Sequence, residues 1–179
     1  IQDYNFMWNN TQKFMSLWKS PKPVICKIHG FAVGGGSDIA LCSDFIFMSD
    51  NAKIGYMSTR VWGCPSTAMW VYRLGAEKAK RMTFTGDQID GKEAEKLGLI
   101  LKSVPENQLD SEVESMANRL ATIPINQLAM QKMVINKIIS LLAKQFNLYK
   151  IMKYVEEPND ADNRISDLEI RLFQLGRRY

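Results

Sequence analysis

The amino-acid sequence predicts an α/β core followed by a C-terminal helical region. Two short apolar runs, at residues 24–28 and 45–48, flank three consecutive glycines and a short helical pattern. This order is typical of an α/β unit with a right-handed crossover. After Pro105 the pattern becomes wholly helical. We therefore predict a core over residues 1–105 and a helical region over residues 106–179, which caps the core or joins neighbouring subunits.

The first half of the core is predicted to alternate helices with short strands. Pro21 and Pro23 end the first helical pattern, and the β-branched apolar runs are typical of strands buried in a sheet. The predicted elements are a helix over residues 3–18, a strand over 24–28, a short buried helix over 37–42, a strand over 45–48 and an extended piece over 54–56.

The second half of the chain is predicted to be mostly helical. Gly75 separates two helical patterns, and Pro124 is well placed in the first turn of a long helix. The predicted elements are helices over residues 67–74, 76–84 and 91–97, a strand over 99–104, and helices over 109–121, 124 to about 154, and 165–175.

Composition and charge limit the class of protein. Hydrophobic residues make up 46% and charged residues 23%, as in a soluble globular domain. The net charge of +4 is spread over the chain, since residues 1–100 carry 12 basic and 9 acidic side chains and the remainder 11 and 10. This distribution argues against a nucleic-acid partner. No signal peptide or membrane-spanning run is present, so we expect a cytoplasmic protein. The chain begins at Ile1 without methionine, and we expect a further segment upstream.

Several catalytic and cofactor classes are not supported by the sequence. Cys26, Cys42 and Cys64 are 16 and 22 positions apart, which predicts reduced, buried thiols and no metal site. His29 is the only histidine, and no G-x-S-x-G motif accompanies it, so a Ser-His-Asp hydrolase is not expected. The glycines match neither the dinucleotide-binding pattern nor a P-loop.

The run Gly34-Gly35-Gly36 is the main candidate for a functional segment. Glycines between a strand and a helix permit a sharp turn or a close approach by another group. The first amide groups of a helix can hold an anionic or polarised oxygen, although close packing of helix and strand explains the glycines equally well. Asp38, in the first helical turn, is either a general acid/base or a stabiliser of the helix N-terminus. Asp44 is predicted to be a structural hydrogen-bond acceptor.

Residues 22–25 and 29–44 resemble the signature of the crotonase, or enoyl-CoA hydratase/isomerase, superfamily. The resemblance extends over residues 18–104, through Thr83-Phe84-Thr85-Gly86 and Ala94-Glu95-Lys96-Leu97-Gly98-Leu99, and it is to the C-terminal part of such proteins. It implies a spiral of ββα units followed by helices that pack in trimers or in dimers of trimers. It also implies an acyl-CoA substrate, an enolate-like intermediate and no cofactor, because coenzyme A is part of the substrate.

The resemblance also assigns roles to particular residues. Gly35 would give one of two amide donors to the thioester oxygen, and the other would come from an upstream loop. Asp38 stands where hydratases have their first catalytic glutamate, with a side chain shorter by about 1.5 Å, and Ser58 stands where the second would be. The expected substrate-binding residues are Phe31, Ala32, Val33, Gly34, Gly36, Tyr56, Arg60 and Trp62.

Three functions are therefore open. The first is an enzyme that processes acyl-CoA and is similar to the hydratases and isomerases of this superfamily. The second is a non-catalytic acyl-CoA-binding or assembly protein with the same fold, since serine at position 58 cannot act as a carboxylate base at neutral pH. The third is a helical interaction module in which the glycines are structural.

Overall fold

The computed structural model describes residues 2–61 and 63–145, with side-chain exposures for residues 5–61 and 63–137. One compact unit extends to Ile139, and a second begins at Ser140. The predicted boundary at residue 105 stays a prediction. No helix in the described part of the chain combines the length and the apolar character needed to cross a membrane.

The elements follow the predicted order, and a pair of strands precedes the second and the third α-helix. The α-helices are α1 (Gln2–Lys19), α2 (Gly35–Leu41), α3 (Met69–Thr85), α4 (Gly91–Leu97), α5 (Glu106–Ala121) and α6 (Ile125–Gln145). The strands are β1 (Ile25–Ile28), β2 (Phe31–Val33), β3 (Phe45–Ser49), β4 (Lys53–Gly55), β5 (Gln88–Asp90) and β6 (Lys102–Val104). A 3₁₀ turn, Met57–Val61, follows β4. The predicted mixed α/β fold with ββα units is confirmed.

Successive strands belong to two different sheets. The first sheet has the order β1-β3-β6 and is parallel throughout. In the second sheet, of order β2-β4-β5, β2 and β4 are parallel and β5 is antiparallel to β4. Helix α2 follows β2 of the second sheet and leads to β3 of the first. The helix that carries the glycine segment therefore connects the two sheets.

The core forms where the apolar faces of the sheets and helices meet. Leu41 of α2, Ile46 and Met48 of β3, and Ile54 of β4 are fully buried, which accounts for the apolar run in β3. Trp18 at the end of α1 is also buried, and its ring packs edge-on against Tyr72 with ring centroids 5.5 Å apart. Helix α1 is thereby held against the core beside α2 and α3.

Most predicted elements occur within a few residues of their predicted bounds, but two strands were missed. Strands β2 and β5 have only three residues each, too few to show an alternating pattern. Gly75 has φ 73° and ψ 171° and interrupts α3, as predicted. The predicted end of the long helix near residue 154 and the predicted helix 165–175 lie outside the described residues.

Two predictions about polar residues have different outcomes. Asp44 accepts hydrogen bonds from the Val24 amide and the Lys132 ammonium group, both at 2.7 Å, so its structural role is confirmed. Cys42 is buried as expected, Cys26 is half-buried, and Cys64 is exposed. The prediction of buried thiols was wrong for Cys64 because this residue lies in the loop between the 3₁₀ turn and α3.

Candidate active site

Gly34 forms the turn between β2 and α2, and its lack of a side chain has a steric reason. Its φ of +56° lies in the left-handed region, which favours glycine. Its amide donates to the Gly55 carbonyl at 3.3 Å, and a Cβ at this position would lie 2.9 Å from the Ser58 hydroxyl oxygen. Close packing therefore explains glycine at position 34.

The next two glycines differ from Gly34. A Cβ on Gly35 would come no closer than 3.8 Å to its neighbour, a Phe14 ring atom, and a Cβ on Gly36 would meet no heavy atom within 4 Å. Both residues are exposed. Packing within the described structure therefore does not require glycine at either position, and an approaching ligand is the alternative reason.

The amide groups of Gly35 and Gly36 are open donors. The following two amides, of Ser37 and Asp38, donate to the Gly34 carbonyl at 3.1 and 3.2 Å. Among residues 2–61 and 63–145, no acceptor takes a hydrogen bond from the amide of Gly35 or Gly36. Exposed amides without acceptors at the start of a helix can bind a polarised oxygen.

Asp38 lies in the first turn of α2, and its carboxylate points into the protein. The residue is only 2% exposed. Its Oδ2 accepts from the Ser66 amide at 3.3 Å and the Ser66 hydroxyl at 3.0 Å, and its Oδ1 accepts from the Thr67 hydroxyl at 3.4 Å. Burial raises the pKa of the Asp38 carboxyl, and the hydrogen bonds from Ser66 and Thr67 oppose that rise. Asp38 is therefore a buried, hydrogen-bonded carboxyl group, unlike a solvated charge at a helix terminus.

Tyr56 and Cys42 are titratable neighbours of Asp38. The Tyr56 hydroxyl donates to the Cys64 carbonyl at 2.7 Å. Burial first, and then the Asp38 charge, raise the pKa of Tyr56 to about 12 and that of Cys42 to about 12. Both groups are neutral near pH 7, so neither adds a charge beside Asp38 there.

Ser58 lies in the 3₁₀ turn beside the glycine turn. It is half-buried, its hydroxyl faces Gly34, and its carbonyl accepts from the Gly63 amide at 2.6 Å. The structure therefore places Ser58 next to the glycine segment, and its catalytic role stays a prediction.

The remaining residues predicted to bind substrate differ in burial and in position. Ala32 is buried in β2, and Val33 is half-buried, whereas the Phe31 side chain is 77% exposed. The Arg60 guanidinium donates to the Thr85 carbonyl at 3.1 Å, at the end of α3. Trp62 lies outside the described residues. Substrate-binding roles for all of these residues stay predictions.

Comparison with known proteins identifies the family. The model of the enoyl-CoA hydratase/isomerase family matches residues 1–166. The chain belongs to this family. A crystal structure of an enoyl-CoA hydratase from Mycobacterium smegmatis superposes with a TM-score of 0.76 at 41% sequence identity, over 79% of this chain and 49% of the other.

Relatives in other organisms agree with this assignment. A protein of Dictyostelium discoideum named "Probable enoyl-CoA hydratase, mitochondrial" is 33% identical over 123 residues, which are 67% of this chain and 44% of the relative. The "Crotonyl-CoA hydratase" of Syntrophomonas wolfei is 36% identical over 102 residues, 55% of this chain and 39% of the relative. The chain thus spans less than half the length of each of these two relatives.

For this member of the enoyl-CoA hydratase/isomerase family, sequence reasoning missed the partners of Asp38. Ser66 and Thr67 lie 28 and 29 positions further along the chain, in the segment that leads into α3. Their only sequence signal is a pair of adjacent hydroxyl residues after Pro65, which is ordinary before a helix. The fold, and not a motif, brings them to the carboxylate.

Proposed function

We propose that the protein acts on an acyl-CoA thioester and stabilises its enolate form. One observation carries this proposal: the amide of Gly35, an exposed residue, has no acceptor in the described structure and lies one helical turn before the buried carboxyl of Asp38. In the proposed complex the Gly35 amide donates to the thioester oxygen. A donor fixed where negative charge develops needs no reorganisation, and losing one typically costs about 10²–10³-fold in rate.

Asp38 is the proposed proton-transfer group. Burial raises the pKa of its carboxyl above the usual range of an aspartate, against the lowering effect of the Ser66 and Thr67 hydrogen bonds, and a raised pKa favours uptake of a proton. The proton is exchanged with a carbon of the acyl chain, and the electron pair of the C–H bond enters or leaves the enolate. Coenzyme A is bound as part of the substrate, and the proposal includes no added metal or cofactor.

Hydration of an enoyl-CoA is the first reaction to test, because the relatives described above are named as hydratases. A shift of the double bond is the second candidate, and Ser58 favours it. Hydration by two carboxylates needs a second acidic group to bind water, whereas position 58 has a hydroxyl. A double-bond shift needs only one group that removes a proton and returns it.

The test uses the complete natural protein that contains this chain. Hydration of crotonyl-CoA is followed by the loss of the ultraviolet absorbance of the conjugated thioester, and conversion of vinylacetyl-CoA to crotonyl-CoA by its appearance. We expect at least one of the two reactions, and we expect Asp38→Ala to abolish it with acyl-CoA binding retained. Binding of acyl-CoA without either reaction would contradict the proposal and support the non-catalytic alternative.

Assembly and location complete the proposal. We expect a homotrimer or a dimer of trimers in the cytoplasm, although the relative from Dictyostelium is named as mitochondrial. Sedimentation velocity of the natural protein measures its oligomeric state, and microscopy of a tagged protein in its own cell shows its location. Unchanged activity in the presence of a chelator is the result expected if no metal takes part.

A further inference from the structure

The segment that leads into α3 holds the Asp38 carboxylate by both of its oxygens. Oδ2 accepts two hydrogen bonds from one residue, Ser66, through its amide and its hydroxyl. Oδ1 accepts one, from the Thr67 hydroxyl, and at 3.4 Å this is the longest of the three. Thr67 is buried, so its hydroxyl has little access to water as an alternative partner.

The two carboxylate oxygens are therefore not equivalent. An ionised carboxylate has about four lone-pair positions, two on each oxygen. Both positions of Oδ2 are occupied by Ser66, whereas Oδ1 has one long hydrogen bond and one position open. A proton can be taken up only at an open position, and this makes Oδ1 the oxygen available for transfer.

We infer that Ser66 is a positioning residue that fixes Oδ2 of Asp38 and leaves Oδ1 as the atom that exchanges the proton. Thr67 helps to orient the carboxylate through its single hydrogen bond to Oδ1. The inference rests on the proposed function, in which Asp38 transfers a proton. In the step, a C–H bond beside the thioester carbonyl breaks, its electron pair forms the enolate, and Oδ1 takes the proton. Oδ1 then returns a proton to the acyl chain, and the carboxylate is ionised again.

The groups around Asp38 do not change their charge in a working assay, so the pH dependence of the rate reports on Asp38. Its titratable neighbours, Tyr56 and Cys42, have pKa values of about 12 and stay neutral in a working assay. The Arg73 guanidinium, which acts on Cys42 electrostatically, donates to the Leu41 and Ser43 carbonyls. Because the Ser66 hydrogen bonds lower the pKa of Asp38, removing the hydroxyl must raise that pKa.

The experiment measures kcat/KM against pH in the complete natural protein and in its variants. Ser66→Ala is expected to lower kcat by about 10- to 100-fold, as for a lost hydrogen bond to a charged group. KM changes little, and the acidic limb of the pH profile moves to higher pH. Ser66→Thr keeps the hydroxyl and is expected to restore the position of that limb. Thr67→Val is expected to lower kcat by a smaller factor, because its hydrogen bond is longer.

A matched control separates positioning from general stability. The Ser103 hydroxyl donates to Oδ1 of Asp50 at 2.7 Å, which is the same kind of bond in another part of the fold. Ser103→Ala is expected to lower the melting temperature without moving the pH profile. If Ser66→Ala, or Thr67→Val should the first variant not fold, behaves like Ser103→Ala, Ser66 has only a structural role and the inference is wrong.

The variants also distinguish this failure from failure of the proposed function. If Asp38→Ala is inactive while Ser66→Ala keeps the wild-type kcat and pH profile, the function stands and the positioning role is refuted. If Asp38→Ala keeps full activity, or the wild-type protein catalyses neither reaction, the proposed function fails and the inference fails with it.

Discussion

Replacement of Lys132 by methionine tests how α6 is held against the core. The Lys132 ammonium group, on an 8% exposed side chain, donates to Asp44 at 2.7 Å and to the carbonyls of Leu17 and Lys22 at 3.1 and 3.2 Å. Methionine is of similar length but has neither the charge nor the donors. The variant leaves the Asp44 carboxylate, on a side chain only 15% exposed, without its counter-ion.

The expected loss of stability follows from this burial. Removing one partner of a buried ion pair typically costs about 3–5 kcal/mol, because the other charge stays buried and uncompensated. With an m value of about 2 kcal/mol/M, the urea midpoint falls by about 1.5–2.5 M. Adding Asp44→Asn to Lys132→Met removes the stranded charge, so the double variant is expected to lose less than the two single variants together.

The assay is urea unfolding followed by circular dichroism, with Lys102→Met as the control. Lys102 pairs with Glu112 at 2.8 Å, but these side chains are 45% and 33% exposed. Such a pair is worth about 0.2–1 kcal/mol, or a midpoint change of at most about 0.5 M. If Lys132→Met lowers the midpoint no more than Lys102→Met does, the buried pair does not hold α6.

Two further predictions concern the second sheet and Asp38. Gly55→Ala places a Cβ 2.3 Å from the Asp87 carbonyl oxygen, and we expect it to lower the free energy of unfolding by about 1–3 kcal/mol in thermal unfolding. Gly30→Ala is the control, because its added Cβ would meet no heavy atom within 4 Å. The control is expected to leave the stability nearly unchanged. Because the folded protein raises the pKa of Asp38, the stability contributed by this group is present at low pH and is lost as the pH rises through that pKa. Asp38→Asn is therefore expected to have a higher melting temperature than the wild type near neutral pH, and the difference should shrink as the pH is lowered. A difference that grows towards low pH would contradict this assignment.

The sequence predicted those parts of the fold that local patterns determine. Strand β3 and helix α4 have periodic or apolar patterns and were predicted within a residue or two. Strands β2 and β5 were not, because three residues show no periodicity and their pairing with β4 depends on distant parts of the chain. Short strands between longer elements are therefore the elements that the sequence patterns fail to predict.

The candidate site was predictable only in part, for a similar reason. Gly35 and Asp38 lie in one short segment, so their motif could be recognised directly. The partners of Asp38 come from 28 and 29 positions away, and Lys132 is 88 positions from Asp44. Hydrogen bonds over such separations depend on tertiary structure, which a single sequence does not record.

Gly35 and Asp38 lie three residues apart on the same short helix, and this has a consequence for how the chemistry could change. Three residues of α-helix advance by about 4.5 Å, so the backbone of α2 sets the spacing between the amide donor and the Cα atom of residue 38. Only the length of the side chain at position 38 then varies the reach, by about 1.5 Å between aspartate and glutamate. Under the proposed function, a substitution at this one position would select a different acyl carbon while the Gly35 amide stays in place. The proposed choice of reaction and the proposed binding of the thioester would then be separable properties.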